Sequence, residues 1–146
     1  MPKFVWTDQL SIGIDVIDQQ HRRIVEYINQ LDDARSSGHS REEIGNLINA
    51  LADYTISHFG FEESLQEEAN YPFSRSHKKV HELFTARVSE FQARFEKGED
   101  VGKGLNSPLV TWLFNHIKRD DADYVESVKA YLEQEQKKGF FGRLFG

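Results

Sequence analysis

In four stretches of the chain the apolar residues recur every three or four positions, the period that gathers side chains on one face of an α-helix. The first stripe runs through Ile17, Ile24, Ile28 and Leu31, and His21 falls on it. Gly38 is placed to end that helix. Ser40-Arg-Glu-Glu43 then reads as a capping box, with the Ser40 hydroxyl and the Glu43 carboxylate each satisfying a free backbone amide of the next helix. The second stripe is Ile44, Leu47, Ile48, Leu51, Tyr54, His58, Glu62 and Leu65, so polar members enter only near its far end. Asn70-Tyr-Pro72 interrupts it, because proline lacks an amide hydrogen and disfavours helical geometry in the residue before it. His77, Val80, His81, Phe84, Val88, Phe91 and Phe95 make a third face, and Gly98, Gly102 and Gly104 mark a loop. Ser107-Pro108 supplies an N-cap and a proline at the first helical position of a fourth helix, which carries Leu109, Trp112, Leu113, His116, Ile117, Asp121 and Tyr124. No useful length of chain alternates with period two. The prediction is an all-α fold, an antiparallel up-down-up-down four-helix bundle with an N-terminal arm over 1–16. A single domain over 1–133 is expected, followed by a tail over 134–146.

Composition narrows the function classes. The chain has 146 residues, 38% hydrophobic and 29% charged, which suits one globular domain. No run approaches the roughly 20 apolar residues of a membrane helix. Acidic residues outnumber basic ones by 24 to 18, for a formal net charge of −6. That balance argues against nucleic acid as a partner, since phosphate binding needs clustered cations. The start, Met1-Pro-Lys-Phe-Val-Trp6, lacks the apolar core and cleavage site of a secretory signal, so a cytoplasmic location is expected, as is a monomer. The absence of cysteine has the sharper consequence: disulfides, thiolate zinc sites and thiolate-held iron–sulfur clusters are all excluded. Any metal must be held by nitrogen and oxygen.

Histidine and acidic residues stand on the inward stripe of the predicted helices, where burial without a partner is costly. His58 and Glu62 are four apart, as are His77 and His81, a spacing that stacks both members of a pair on one face so that they reach one ion. His21 and His116 add one nitrogen each from the other two helices. Taken singly, either is best read as an ordinary core histidine; the set of five with its acids points to metal. Five imidazoles and two carboxylates exceed the needs of one tetrahedral zinc, and suit two octahedral ions sharing bridging carboxylates, with iron the best fit. The carboxylate-rich Glu-x-x-His pattern of ferritin-like sites is absent at the expected places. His39, in the Gly38-His-Ser40 turn, is read as solvated and idle. One spacing stays open: Asp120 lies four residues after His116 and shares its face, whereas Asp121 lies five on, about 140° around an ideal helix.

At this point the chain resembles the hemerythrin family in its single-domain bacterial form, to about Glu133. The resemblance is carried by Trp6 with Ser11-Ile-Gly-Ile-Asp-Val-Ile-Asp18 and Gln20-His21, by His58-Phe-Gly-Phe-Glu-Glu63 with Tyr71-Pro72 and His77-Lys-Lys-Val-His81, and by Trp112-Leu-Phe-Asn-His116 with Ile-Lys-Arg-Asp-Asp121. It implies a cofactor of two iron ions. His77, His81 and His116 would hold one, and His21 and His58 the other, with Glu62, Asp121 and an oxo or hydroxo group as bridges. It therefore favours Asp121 over Asp120. It also implies reversible binding of dioxygen at the ion with only two histidines, which keeps an open position, and an oxygen pocket walled by Ile24, Phe59, Trp112, Leu113 and Ile117. Those five residues read equally well as core packing. Trp6 reads as a lid that anchors the N-terminal arm.

The expectation is an oxygen-binding protein and not an enzyme, because the inward stripes offer no acid, base or nucleophile beyond the ligands. The rival classes are a di-iron enzyme reducing dioxygen, peroxide or nitric oxide, and an oxygen sensor acting through a partner. Residues 137–146, Lys-Lys-Gly-Phe-Phe-Gly-Arg-Leu-Phe-Gly, combine aromatic and cationic side chains. They read either as a short anchor for an anionic membrane surface or a protein partner, or as a segment that folds back or stays disordered.

Overall fold

The computed structural model describes residues 6–98 and 111–145, with side chains described as far as residue 138. A 3-10 turn (Asp8–Leu10) leads into α1 (Asp15–Ser36), α2 (Arg41–Glu68) and α3 (Ser74–Glu96). The fourth rod consists of a helical segment over 111–115, a π-helical turn (His116–Asp121) and α4 (Ala122–Phe145). The links 37–40 and 69–73 are too short for anything but antiparallel neighbours, and α2 packs against α1, α3 and α4. Among the described residues there is no strand, and no helix is long and apolar enough to cross a membrane.

The helix ends show how local chemistry fixes the corners. Gly38 sits at φ +69°, its amide donating to Arg35 O (3.4 Å) and that of His39 to Ala34 O (2.9 Å), the paired bonds of a Schellman stop. The break before Pro72 is made by Asn70 in the left-handed region at φ 55°, with Tyr71 N–H donating to Gln66 O at 2.9 Å. Proline follows a helix that the asparagine has already closed. At the start of α2 the Ser40 hydroxyl accepts from Glu43 N–H at 3.2 Å, as the capping box requires. Glu43 does not complete the expected reciprocal bond; its carboxylate turns toward His39, 3.9 Å away. His39 is therefore not idle: its Nδ1 donates to Ala34 O at 3.2 Å and closes the last turn of α1. The Ser107-Pro108 start of the fourth helix, Leu109, Gly102 and Gly104 lie outside the described residues.

The core has two apolar clusters. One gathers Ile24, Ile28, Leu31, Ile48, Leu51, Phe84, Val88 and Leu113; the other gathers Ile14, Ile17, Tyr71, Tyr124 and Val128. Along each rod the histidines and acids fall between the positions that feed these clusters, so a polar layer crosses the bundle between two dry ones. The N-terminal arm is more than a flanking strand of chain. α1 begins at Asp15, inside the expected arm, and Leu10 is only 1% exposed. Burying one such side chain contributes about 2 kcal/mol, enough to hold the arm down. Trp6 packs on the same core with the Arg22 guanidinium 5.2 Å over its ring, in keeping with an anchor. At the other end the backbone stays helical to Phe145, and its side chains from Glu133 to Lys138 are exposed. The side chains of 139–146 lie outside the described residues.

Ser40→Ala is expected to destabilise the fold by about 1 kcal/mol through loss of the cap on α2. Urea unfolding of the metal-free chain measures this, and an unchanged midpoint would contradict the capping role.

Candidate metal centre

The polar layer collects all seven candidate ligands. Glu62, His77, His81, His116 and Asp121 form one group and His21, His58, Glu62 and Asp121 a second; within each group one ligand atom per residue lies within 4.8 Å of every other. Glu62 and Asp121 belong to both groups, so these carboxylates stand between three imidazoles on one side and two on the other. All seven residues are buried, Glu62, Asp121 and His21 to zero exposure.

The fourth rod explains how His116 and Asp121 share a face despite a spacing that an α-helix would splay. His116–Asp121 is a π turn in which Ala122 N–H donates back to Ile117 O, five residues away. Widening the turn by one residue carries Asp121 round to the side of His116, and its Oδ1 comes 3.1 Å from Nε2 of both His116 and His77. Asp120, the residue an unbroken helix would choose, is turned outward and joins neither group. It accepts instead from His116 Nδ1 at 2.9 Å.

Outer partners fix the imidazole tautomers. An ionised carboxylate or an amide oxygen can only accept, so a ring nitrogen facing one must carry the proton. His116 Nδ1–H donates to Asp120, His81 Nδ1–H to Glu63 Oε1 at 3.3 Å, and His58 Nδ1–H to Gln20 Oε1 at 2.6 Å. In a neutral ring the opposite nitrogen is then a bare lone pair. The Nε2 atoms of His81 and His116 face each other at 3.1 Å, and His58 Nε2 faces Glu62 Oε1 at 3.0 Å. Lone pair against lone pair, buried, is repulsive unless a cation lies between. Several of the converging atoms make no hydrogen bond at all: His21 Nε2, His77 Nε2, Glu62 Oε1 and both Asp121 oxygens. Orphaned acceptors of this kind, aimed at a common point, fit a pair of metal ions.

Without metal, protons substitute for the cations. Burial disfavours charge on His116, but Asp121 and Asp120 outweigh it and raise the imidazole to about 10. Burial and the neighbouring Asp121 both push Glu62 upward, yet His58 and His81 prevail and bring it to about 2. Asp121 is likewise held well below the usual range, burial being outweighed by His116, His21 and His77. Both bridging candidates therefore stay ionised, as ligands must. Tyr124 donates to the other oxygen of Glu62 at 2.5 Å, and burial with the nearby carboxylates raises its own pKa. Aromatic faces hold the rings in place. Phe59 stacks on His81 with centroids 3.8 Å apart and planes at 7°, and Trp112 stacks on His116 at 4.4 Å and 15°.

Gln20, Glu63 and Tyr124 were not singled out by sequence reasoning for any role at the site. Gln20 and Glu63 adjoin His21 and Glu62 in sequence, on helix faces that periodicity assigns to the rim, and only the fold shows which histidine each meets. Of the residues expected to wall an oxygen pocket, Ile24, Phe59, Trp112 and Leu113 line one cavity of about 10 Å³ together with Ile28, Leu51, Thr55 and Phe84. That is room for about one water-sized molecule. Ile117 is fully buried in the same cluster but does not line the cavity.

Residues 12–128 match the Hemerythrin HHE cation binding domain. A bacteriohemerythrin of Stenotrophomonas maltophilia is 52% identical over 98% of this chain and 95% of its own length. One of Pseudomonas aeruginosa is 57% identical over 92% of this chain and 87% of its own. Among solved structures, a wild-type hemerythrin superposes with a TM-score of 0.82 at 29% identity, covering 87% of this chain and 98% of that one.

Two outcomes follow from the outer partners and the buried protons. Asp120→Asn and Glu63→Gln are each expected to weaken divalent-metal affinity by about 10- to 100-fold, the usual effect of losing a group that orients a ligand. Competition against a chromophoric chelator reads this, and wild-type affinity in both variants would contradict it. In the metal-free chain His116 lies at about 10, above its ordinary 6.5, so its protonation stabilises the fold fully below pH 6.5 and this contribution is lost as pH rises toward 10. Urea midpoints of the chelator-treated chain should fall across that window, and a flat profile would count against the protonated His116.

Proposed function

The chain belongs to the hemerythrin family, and we propose that it binds dioxygen reversibly at a non-haem di-iron centre held by His21, His58, Glu62, His77, His81, His116 and Asp121. The observation that carries this reading is the unequal division of a buried donor set: three histidines and two shared carboxylates on one side, two histidines and the same carboxylates on the other. The two-histidine side offers one protein ligand fewer, and an open position is what reversible ligation needs. A pair of ferrous ions bound there would supply the electrons that dioxygen binding requires.

The protein's own groups set the conditions. Asp120, Glu63 and Gln20 hold their imidazoles with Nε2 directed inward. Tyr124 steadies Glu62 from outside the cluster, so that its free Oε1 stays directed at the histidines. The cavity lies one helical turn from the site on every rod: Ile24 follows His21, Thr55 precedes His58, Phe84 follows His81, and Trp112 and Leu113 precede His116. Its wall is aliphatic and aromatic apart from Thr55, whose hydroxyl donates to Leu51 O at 2.7 Å. Such a wall excludes water and gives a captured molecule no proton, which supports reversible binding over turnover.

Anaerobic iron loading followed by alternating air and argon under optical spectroscopy tests the reading. Repeated return to the colourless ferrous state is expected. Sustained oxygen consumption with a reductant, at a constant rate over many turnovers, would make the protein an enzyme.

A further inference from the structure

The cavity one helical turn from the metal centre is one of three neighbouring spaces that share wall residues, the outermost of which also reaches Phe59 and His81. A second cavity, also of about 10 Å³, sits between α2 and α3 and is walled in part by Ala52, Thr55, Phe84 and Val88. Thr55 and Phe84 line both cavities, so these two side chains form the partition between them. The second cavity in turn shares Ile56, Thr85 and Ser89 with an open groove of about 480 Å³ on the surface between the same two helices. Ile56 is 52% exposed there, a large apolar side chain left in water at the mouth.

We propose that dioxygen reaches the centre through this seam, from the groove at Ile56 past Thr85 into the outer cavity, and then past Thr55 and Phe84 into the inner one. The proposal deepens the oxygen-binding reading and rests on it. Each cavity admits about one water-sized molecule. Thr85, Ser89 and Gln92 bring polar groups to the outer one, whereas the inner one has only Thr55, whose hydroxyl is committed to Leu51 O, and so offers an anion no compensation for leaving water. The route therefore passes small uncharged diatomics and rejects bulky charged reductants, which protects the bound ligand. Phe84 is the stiffer half of the partition, stacked on Trp112 with centroids 4.0 Å apart. Thr55 is held by a single hydroxyl bond to Leu51 O, which makes it the half that yields.

Dissolved dioxygen is paramagnetic and enhances the relaxation of methyl groups that it visits. In the full chain carrying zinc in place of iron, Ala52, Val88, Ile24 and Leu113 should show enhancements roughly threefold above those of Ile17, Leu31 and Val128, which are as deeply buried but line neither cavity. In the iron-loaded chain, Thr85→Phe should slow oxygen association on the order of tenfold by filling a passage one molecule wide, and Thr55→Ala should accelerate it. Ser89→Phe obstructs the same passage if Thr85→Phe does not fold. Uniform enhancement across equally buried methyls, or an unchanged association rate in a folded obstructed variant, would overturn the route. A wild-type iron protein that never gives a reversible coloured form would instead defeat the oxygen-binding reading and leave the zinc relaxation pattern intact.

Discussion

Burying polar groups without partners is costly, and this bundle buries seven in one layer, with aliphatic side chains above and below. Glu62 and Asp121 lie at zero exposure with orphaned oxygens, facing imidazoles whose lone pairs are turned inward by Asp120, Glu63 and Gln20. An apolar core of the same volume would hold four helices together more simply. The layer needs positive charge between its donors, from protons in the metal-free chain and, we propose, from metal ions in the loaded one, and the two apolar clusters pack on either side of it. Everything proposed for the molecule depends on that charge.

The outer partners are unequal in kind, which gives the two sides of the centre different character. On the three-histidine side two rings donate to carboxylates; on the two-histidine side His58 donates to the neutral amide of Gln20. A carboxylate raises the basicity of the ring it holds more than an amide does. The three-histidine side thus also has the stronger donors, while the two-histidine side, where the open position is proposed, would be less electron-rich. Both helix-bound carboxylates reach water, Asp120 with its side chain 41% exposed and Glu63 22%, so charge is balanced at the rim and not beside the cavity.

Much of this was legible in the sequence, and for a physical reason. Helical periodicity alone placed His21, His58, Glu62, His77, His81 and His116 on inward stripes, because 3.6 residues per turn leaves no other face for them. It failed at Asp121, since a π turn cannot be read from composition and an ideal helix would choose Asp120; family resemblance supplied the residue, and the widened turn supplies the cause. Helix ends were placed correctly at Gly38 and before Pro72, though the second stop is the work of Asn70. The partners of the imidazoles were not legible. Gln20 meets His58 across 38 residues of chain and Glu63 meets His81 across 18, and such pairings exist only once the rods are packed.

The most direct measurement is anomalous scattering at the iron absorption edge from a crystal of the anaerobically loaded chain. Two peaks are predicted in the polar layer, one among His77, His81 and His116 and the other between His21 and His58, both within reach of Glu62 and Asp121. A single peak, or iron bound elsewhere on the molecule, would contradict the two-ion centre.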